Sequence, residues 1–252
     1  MRVDVRQVAD GTHLVHGSDT NWVLLTDGDA VTLVDTGYPR DRELLLASLA
    51  AVGASPEAVT AVLVTHAHND HLGSAEYLAA RYGTPVLLHD AEVPHARREF
   101  LHQVSAGQVL RHSWRPGVLP WALRALRSGG TAHIPVAAPR PLPSTGALDL
   151  PGRPVPVHTP GHTGGHCAFH LPGAGVLISG DALVSGHPTS RIAGPQLLPG
   201  MFHHERDRAA ASLDVLAGLD ADLLLPGHGP ALRGPVREAA RLARKIGSSR
   251  VR

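Results

Sequence analysis

The segment Thr65-His66-Ala67-His68-Asn69-Asp70-His71 constrains this chain more than any other. Three imidazoles and a carboxylate follow directly on the apolar run Ala61-Val62-Leu63-Val64. A short run of that kind, bounded by polar residues, reads as a buried strand. From Leu72 to Tyr82 apolar residues recur at helical spacing, and Gly83 stops them. The cluster therefore sits on a strand-to-helix turn, on a rigid support facing a crevice. His66 and His68 are two residues apart, so in extended chain they point the same way and can grip one ion together. Asp70 and His71 lie past the turn and can reach a second ion. Imidazole with carboxylate is a ligand set suited to zinc, iron or manganese. A chain with 18 His has stray ones, but not in this register.

The H-x-H-x-D-H pattern after a hydrophobic strand resembles the metallo-β-lactamase-fold superfamily. Its later motifs follow in the same order. Thr159-Pro160-Gly161-His162-Thr163 supplies a further His, Ile178-Ser179-Gly180-Asp181-Ala182 an Asp, and Leu225-Pro226-Gly227-His228-Gly229 a last His. Upstream, Val34-Asp35-Thr36-Gly37 matches the place where the family carries a carboxylate that orients a ligand imidazole. The resemblance covers nearly the whole chain, with a ligand set like that of glyoxalase II. It implies two zinc ions per chain, with iron or manganese as other occupants. His66, His68 and His162 would hold one ion; Asp70, His71 and His228 the other; Asp181 would bridge both. It also implies a reaction in which metal-bound hydroxide attacks the carbonyl of an ester, thioester or lactone in a small-molecule substrate. Asp70 and Asp181 would be the catalytic carboxylates, Asp70 steering the nucleophile or passing its proton to the leaving group.

Around these motifs the chain reads as two similar halves. Strands are expected at Val3–Val8, His13–His16, Asn21–Thr26, Ala30–Asp35, Ala61–Val64 and Pro85–Leu88, with helices at Asp41–Ala51 and after the metal turn. The second half repeats strands at Val155–His158, Cys167–Leu171, Gly175–Ser179 and Asp222–Leu225, with helices at Glu205–Gly218 and Pro235–Ile246. Strands then helix, twice, predicts an α/β (α+β) fold of two mixed sheets packed face to face with helices outside. That is the αββα sandwich the resemblance implies, as a single domain over 1–252. Residues 91–150 form a helical, Pro-rich insertion that is expected to cover the site as a lid. Trp114, Val118, Leu119 and Trp121 would line a substrate pocket there, or else serve as core or as the surface of a homodimer. An insertion without Lys and with few acidic residues suits an apolar or neutral substrate. His187 and the pair His203-His204 lie between Asp181 and His228, where His187 and His204 become candidates to touch substrate. Cys167 reads as a buried thiol.

Composition limits the alternatives. A net charge of +1 gives no long-range pull on nucleic acid or membrane. No apolar run reaches the length of a membrane span, no signal segment opens the chain, and one Cys forms no internal disulfide. The cytoplasm is the expected address. Three reactions compete: the dinuclear hydrolase, a mononuclear iron oxidoreductase like the persulfide dioxygenases (using His66, His162 and Asp181), and β-lactam hydrolysis. The last is disfavoured because β-lactamases generally lack the bridging Asp and are exported. Only 24 residues follow His228, so the basic C-terminal helical domain of glyoxalase II is not expected. Val184 stands where quorum-quenching lactonases place a Tyr, and no RNA-binding arm of the ribonuclease Z type is visible.

Overall fold

The computed structural model describes residues 3–143 and 145–249. Among them, strands β1 (Asp4–Ala9), β2 (Thr12–His16), β3 (Asn21–Asp27), β4 (Ala30–Val34), β5 (Val59–Leu63), β6 (Val86–Leu88) and β7 (Arg140–Pro141) form one sheet in that order. The first four are antiparallel neighbours; β4 to β7 run parallel. A second sheet has the order β12-β11-β10-β9-β8, from β8 (Val155–His158), β9 (Cys167–Leu171), β10 (Val176–Gly180), β11 (Leu223–Pro226) and β12 (Leu232–Arg233). The helices are α1 (Arg42–Ala51), α2 (Asn69–Leu72), α3 (Ala75–Tyr82), α4 (Val93–Ala96), α5 (Ala106–His112), α6 (Val118–Arg127), α7 (Arg206–Ala217) and α8 (Val236–Ser249).

Period-two alternation in the strands sorts the core into three layers. Val23 and Leu25 of β3 point toward the second sheet, where they meet Ile178, Phe169, Leu223 and Leu225. Trp22 and Leu24, one residue out of step, point the other way onto Leu45, Leu49 and Leu78 of α1 and α3. The second sheet repeats the device: Val176 and Ile178 face inward, while Leu177 packs on Leu213, Leu216 and Ala240 of α7 and α8. Both faces of each sheet are therefore covered. Runs such as Leu223-Leu224-Leu225 are continuously apolar because every residue has a core to enter. The result is the four-layer αββα sandwich expected from the pattern.

The insertion divides between the two tasks offered for it. Its first and last parts belong to the sandwich: Val136 packs with the α1–α3 layer, Leu148 enters the core between the sheets, and Arg140–Pro141 pairs with β6 as an edge strand. Proline stands at this edge, where a missing N–H costs no ladder bond. The middle part, from His102 through α5 and α6 to Ala132, lies over the ligand turns. No helix among the described residues is long and apolar enough to cross a membrane.

Candidate metal centre

The loops at the C-terminal ends of β4, β5, β8, β10 and β11 converge at one edge of the sandwich. The chain leaves β4 at Asp35, which adopts a left-handed φ of 63°. Its backbone N–H donates to the Leu63 carbonyl at 2.8 Å. Asp35 Oδ1 accepts the Thr65 N–H at 2.8 Å, and Oδ2 accepts both the Thr65 hydroxyl (2.8 Å) and His71 Nδ1–H (2.7 Å). The Thr65 oxygen in turn contacts His66 Nδ1 at 3.0 Å. One buried carboxylate thus fixes His71 directly and His66 through Thr65, leaving the Nε2 atom of each turned inward. The expected orienting role of Asp35 is the contact this geometry makes.

Three imidazole nitrogens meet from two loops. His66 Nε2 lies 3.0 Å from His68 Nδ1 and 3.1 Å from His162 Nε2, and the latter two atoms are 3.1 Å apart. Ligand atoms about 2.0–2.1 Å from a tetrahedral ion are about 3.3 Å from one another, so this triangle has the size of one face of such a site. His68 donates its other ring N–H, Nε2–H, to the His102 carbonyl, which turns its Nδ1 toward the triangle. Beside it, His228 Nε2 lies 3.5 Å from Asp70 Oδ2 and 3.3 Å from Asp181 Oδ2; His71 Nε2 is 3.8 Å from Asp70 Oδ2 and 3.5 Å from Asp181 Oδ1. Asp181 Oδ2 is also 3.4 Å from His162 Nε2. All seven expected residues are gathered, as three overlapping groups: His66, His68 and His162; His66, His71 and Asp181; Asp70, His71 and His228.

The chemistry of these donors fits a metal. His71 Nε2 and Asp181 Oδ1 are buried without a hydrogen-bond partner. Buried polar atoms left unpaired are costly, and two facing each other at 3.5 Å are spaced as ligands of a common ion. Burial and the neighbouring imidazoles hold His66 well below the usual histidine range, and burial with nearby His95 lowers His68 to about 4. His71 goes the other way. Burial opposes its charge, but Asp181, Asp35 and Asp70 outweigh that and push it up to about 10. The pocket of three carboxylates therefore holds positive charge tightly, while the His66 and His68 imidazoles are kept as neutral lone-pair donors. Gly227 makes room for this. A Cβ there would stand 2.4 Å from Asp181 Oδ1 and 2.8 Å from His71 Cε1.

Several supports of the site have no motif of their own in the sequence. Glu92 is 1% exposed. Its Oε2 accepts the Ala67 N–H at 2.9 Å, between His66 and His68, and contacts His95 Nδ1 at 3.0 Å; its Oε1 accepts the Gly165 N–H at 3.0 Å, just past His162. It ties the two loops that make the imidazole triangle. Burial alone would raise its pKa, but the His95, Thr163 and Ala67 hydrogen bonds and the His95 charge lower it to about 2. His166, pushed down to about 3 by burial, accepts the Asp181 N–H on Nε2 at 3.0 Å and contacts Thr159 Oγ1 through Nδ1 at 2.8 Å. Arg98 donates to the Ala67 carbonyl at 2.7 Å and to Asn69 Oδ1. Gly161, at φ 127°, lets the start of α7 approach so closely that a Cβ would stand 2.0 Å from the Ala209 nitrogen.

A cavity of about 400 Å³ opens from the metal-binding residues and is roofed by α5 and α6. Trp121 and His187 line it, as expected from sequence, together with Leu119, Phe202, Leu198 and Tyr38. Tyr38 was not foreseen. It is 3% exposed, and burial, then Asp70, raise its hydroxyl pKa well above the usual value, so it remains an O–H donor. Trp114 and His204 do not line the cavity. Trp114 sits in the turn between α5 and α6 with 76% of its surface exposed, its ring covered by the Arg115 guanidinium at 5.3 Å. His204 is drawn outward by stacking on His102, with ring centroids 3.9 Å apart. Cys167 is buried, and burial pushes its thiol up to about 12.

The sequence profile of the Metallo-beta-lactamase superfamily matches residues 17–228, which spans every ligand described above. The chain belongs to that superfamily. It is 25% identical over 230 residues to a probable metallo-hydrolase, YflN, of Bacillus subtilis, covering 84% of this chain and 80% of the relative. It is 31% identical over 207 residues to a hydroxyacylglutathione hydrolase of Acidiphilium cryptum, covering 81% of this chain and 62% of the relative. Among solved structures, a metallo-β-lactamase family protein of Thermus thermophilus superposes with a TM-score of 0.71 at 28% identity, over 97% of this chain and 81% of that one. The chain is therefore a metallo-hydrolase of this superfamily by descent, with a His/Asp cluster able to bind metal.

Proposed function

We propose that the protein is a dinuclear zinc hydrolase that cleaves the ester, thioester or lactone bond of a small molecule whose remaining part is uncharged and apolar. The observation that carries this reading is Asp181. Its two oxygens face different partners, Oδ1 toward His71 and Oδ2 toward His162 and His228, which suits a residue shared by two ions. His66, His68 and His162 would hold one, Asp70, His71 and His228 the other. Two such ions supply Lewis acidity toward the carbonyl oxygen and lower the pKa of water toward neutrality.

The rest is the work of the chain. Hydrolysis breaks the acyl C–O or C–S bond, puts OH on the acyl carbon and delivers a proton to the leaving alcohol or thiol. Asp70 is the least buried of the candidate ligands and lines the cavity, so its free oxygen is placed to accept and hand on that proton. The Tyr38 hydroxyl, on the cavity lining, is a donor available to the carbonyl oxygen or the leaving group. His187, lowered to about 3 by burial, stays neutral at working pH and offers a ring nitrogen rather than a charge. No Lys or Arg is among the lining residues, so a substrate carboxylate or phosphate would enter without a counter-charge.

The test is metal content by mass spectrometry on protein expressed with zinc and iron both present, followed by a panel of esters, thioesters and lactones of increasing acyl length. About two zinc ions per chain, with kcat/KM rising with acyl length, supports the reading. One iron per chain, with oxygen uptake on persulfides and no hydrolysis, overturns it.

A further inference from the structure

The outer surface of the α5–α6 segment is unlike the rest of the molecule. Leu110 and Trp114 are 74% and 76% exposed, and Leu119, Leu123 and Leu126 are each more than half exposed. The last three recur at i, i+4 and i+7, so they share one face of α6. A contiguous exposed patch of leucines and a tryptophan on a water-soluble domain marks an interaction surface.

The charge of that segment is one-sided too, although Arg124 is paired with Asp19 at 2.7 Å and Arg140 stands apart on edge strand β7. Residues 100–148 carry Arg111, Arg115, Arg124, Arg127 and Arg140 and no Asp or Glu. The segment holds +5 of formal charge in a chain whose total is +1, so the remaining residues sum to −4. The small overall charge conceals this asymmetry. The apolar patch is also continuous with the cavity, because Leu110, Leu119 and Leu126 line its mouth as well as the outer surface.

A second copy of the chain is a poor occupant for this face. A two-fold interface pairs a surface with itself, which would set Arg111, Arg115 and Arg127 against their own copies, with Asp19 already engaged by Arg124 at 2.7 Å and no carboxylate within the segment to answer the others. A lipid surface with anionic headgroups answers both features, acyl chains for Leu and Trp and phosphates for Arg. We propose that the outer face of α5 and α6 docks on an anionic lipid surface, with the mouth of the metal-site cavity opening toward it. Trp114 is then an interfacial anchor beside Arg115. This docking stands apart from the reaction proposed above and is tested without it.

The experiment is co-sedimentation of the full-length metal-loaded protein with two kinds of vesicle. One is phosphatidylcholine alone; the other contains about 30 mol % phosphatidylglycerol. Expected is at least about tenfold stronger partition to the anionic vesicles, weakened by about 0.5 M salt. The double variant Trp114→Glu, Leu123→Glu is expected to lose that partition about tenfold or more while keeping the parent's melting temperature and metal content, since neither residue lines the cavity. Arg111→Gln with Arg115→Gln, which leaves the apolar patch intact, is expected to lose the preference for anionic over neutral vesicles. Equal partition to the two vesicles, or variants that bind as well as the parent, would overturn the proposal. So would a parent that forms a dimer abolished by Trp114→Glu, Leu123→Glu and shows no vesicle binding.

Discussion

The floor and the roof of the cavity are built on opposite principles. In the floor, every ligand loop begins at the end of a strand and is tied by hydrogen bonds to another loop: Asp35 to Thr65 and His71, Glu92 to Ala67 and Gly165, His166 to Asp181. In the roof, α5 and α6 meet the body mainly through Val118 and Trp121, and their leucines face solvent. The floor can hold atoms to within a few tenths of an ångström, which metal chemistry needs. The roof has few buried contacts to lose on moving, which suits admission of substrate. On the proposed reading, reaction type and substrate choice belong to separate parts of the chain, and changes to one are expected to leave the other standing.

Substitutions test that separation. Asp181→Ala removes the shared carboxylate and is expected to abolish measurable activity and lower the bound metal, read by mass spectrometry on purified protein. Asp35→Asn keeps the shape but gives up the charge that fixes His71 and His66; a loss of about 10–100-fold in metal affinity or kcat is expected. Unchanged activity in both would mean that the reactive centre lies elsewhere. Glu92→Gln probes the floor through stability. The folded-state pKa of about 2 lies below the ordinary 4.5, so the carboxylate's contribution is complete above about pH 4.5 and disappears as pH falls toward 2. The difference is worth about 3 kcal/mol, so urea unfolding of the parent should weaken over that window by about that much more than unfolding of the variant. In the roof, Trp121→Ala should raise KM for long-acyl substrates about tenfold, with kcat little changed. A fall in kcat with an unchanged KM would place Trp121 with the floor instead. Tyr38→Phe, which removes only the hydroxyl, is expected to lower kcat about tenfold at unchanged metal content.

The floor was largely legible in the sequence because its ligands occur at strand ends in short, chemically unusual motifs, and apolar runs such as Leu223-Leu224-Leu225 announce strands covered on both faces. What escaped was whatever depends on tertiary neighbours. Glu92 and Arg98 look like surface charges on a helical stretch until the fold brings Ala67 and Asn69 against them. Tyr38 is one residue past the matched Val34–Gly37 motif and carries no signal until α6 closes over it. Arg140–Pro141 was hidden inside a Pro-rich stretch because a two-residue edge strand has no periodicity to detect. For the roof, apolar spacing identifies helices but not which side faces inward, so it does not separate Trp121, which lines the cavity, from Trp114, which faces solvent.

The last ligand has a consequence for assembly. The His228 loop is held by the far end of the chain: its Nδ1–H donates to the Asp19 carbonyl at 2.6 Å, and the Asn21 side chain donates to the carbonyls of Pro226 and Gly229 at 2.8 and 2.7 Å. These partners are more than 200 residues apart in sequence, so closing them is among the costliest steps in ordering the backbone. The start of β3 in the first half and the end of β11 in the second must have met before the final imidazole can be presented. A pair of ions held by these seven residues together would therefore bind only to completed molecules and draw the folding equilibrium toward them, which would make metal capture a checkpoint on whether the two halves of the chain have joined.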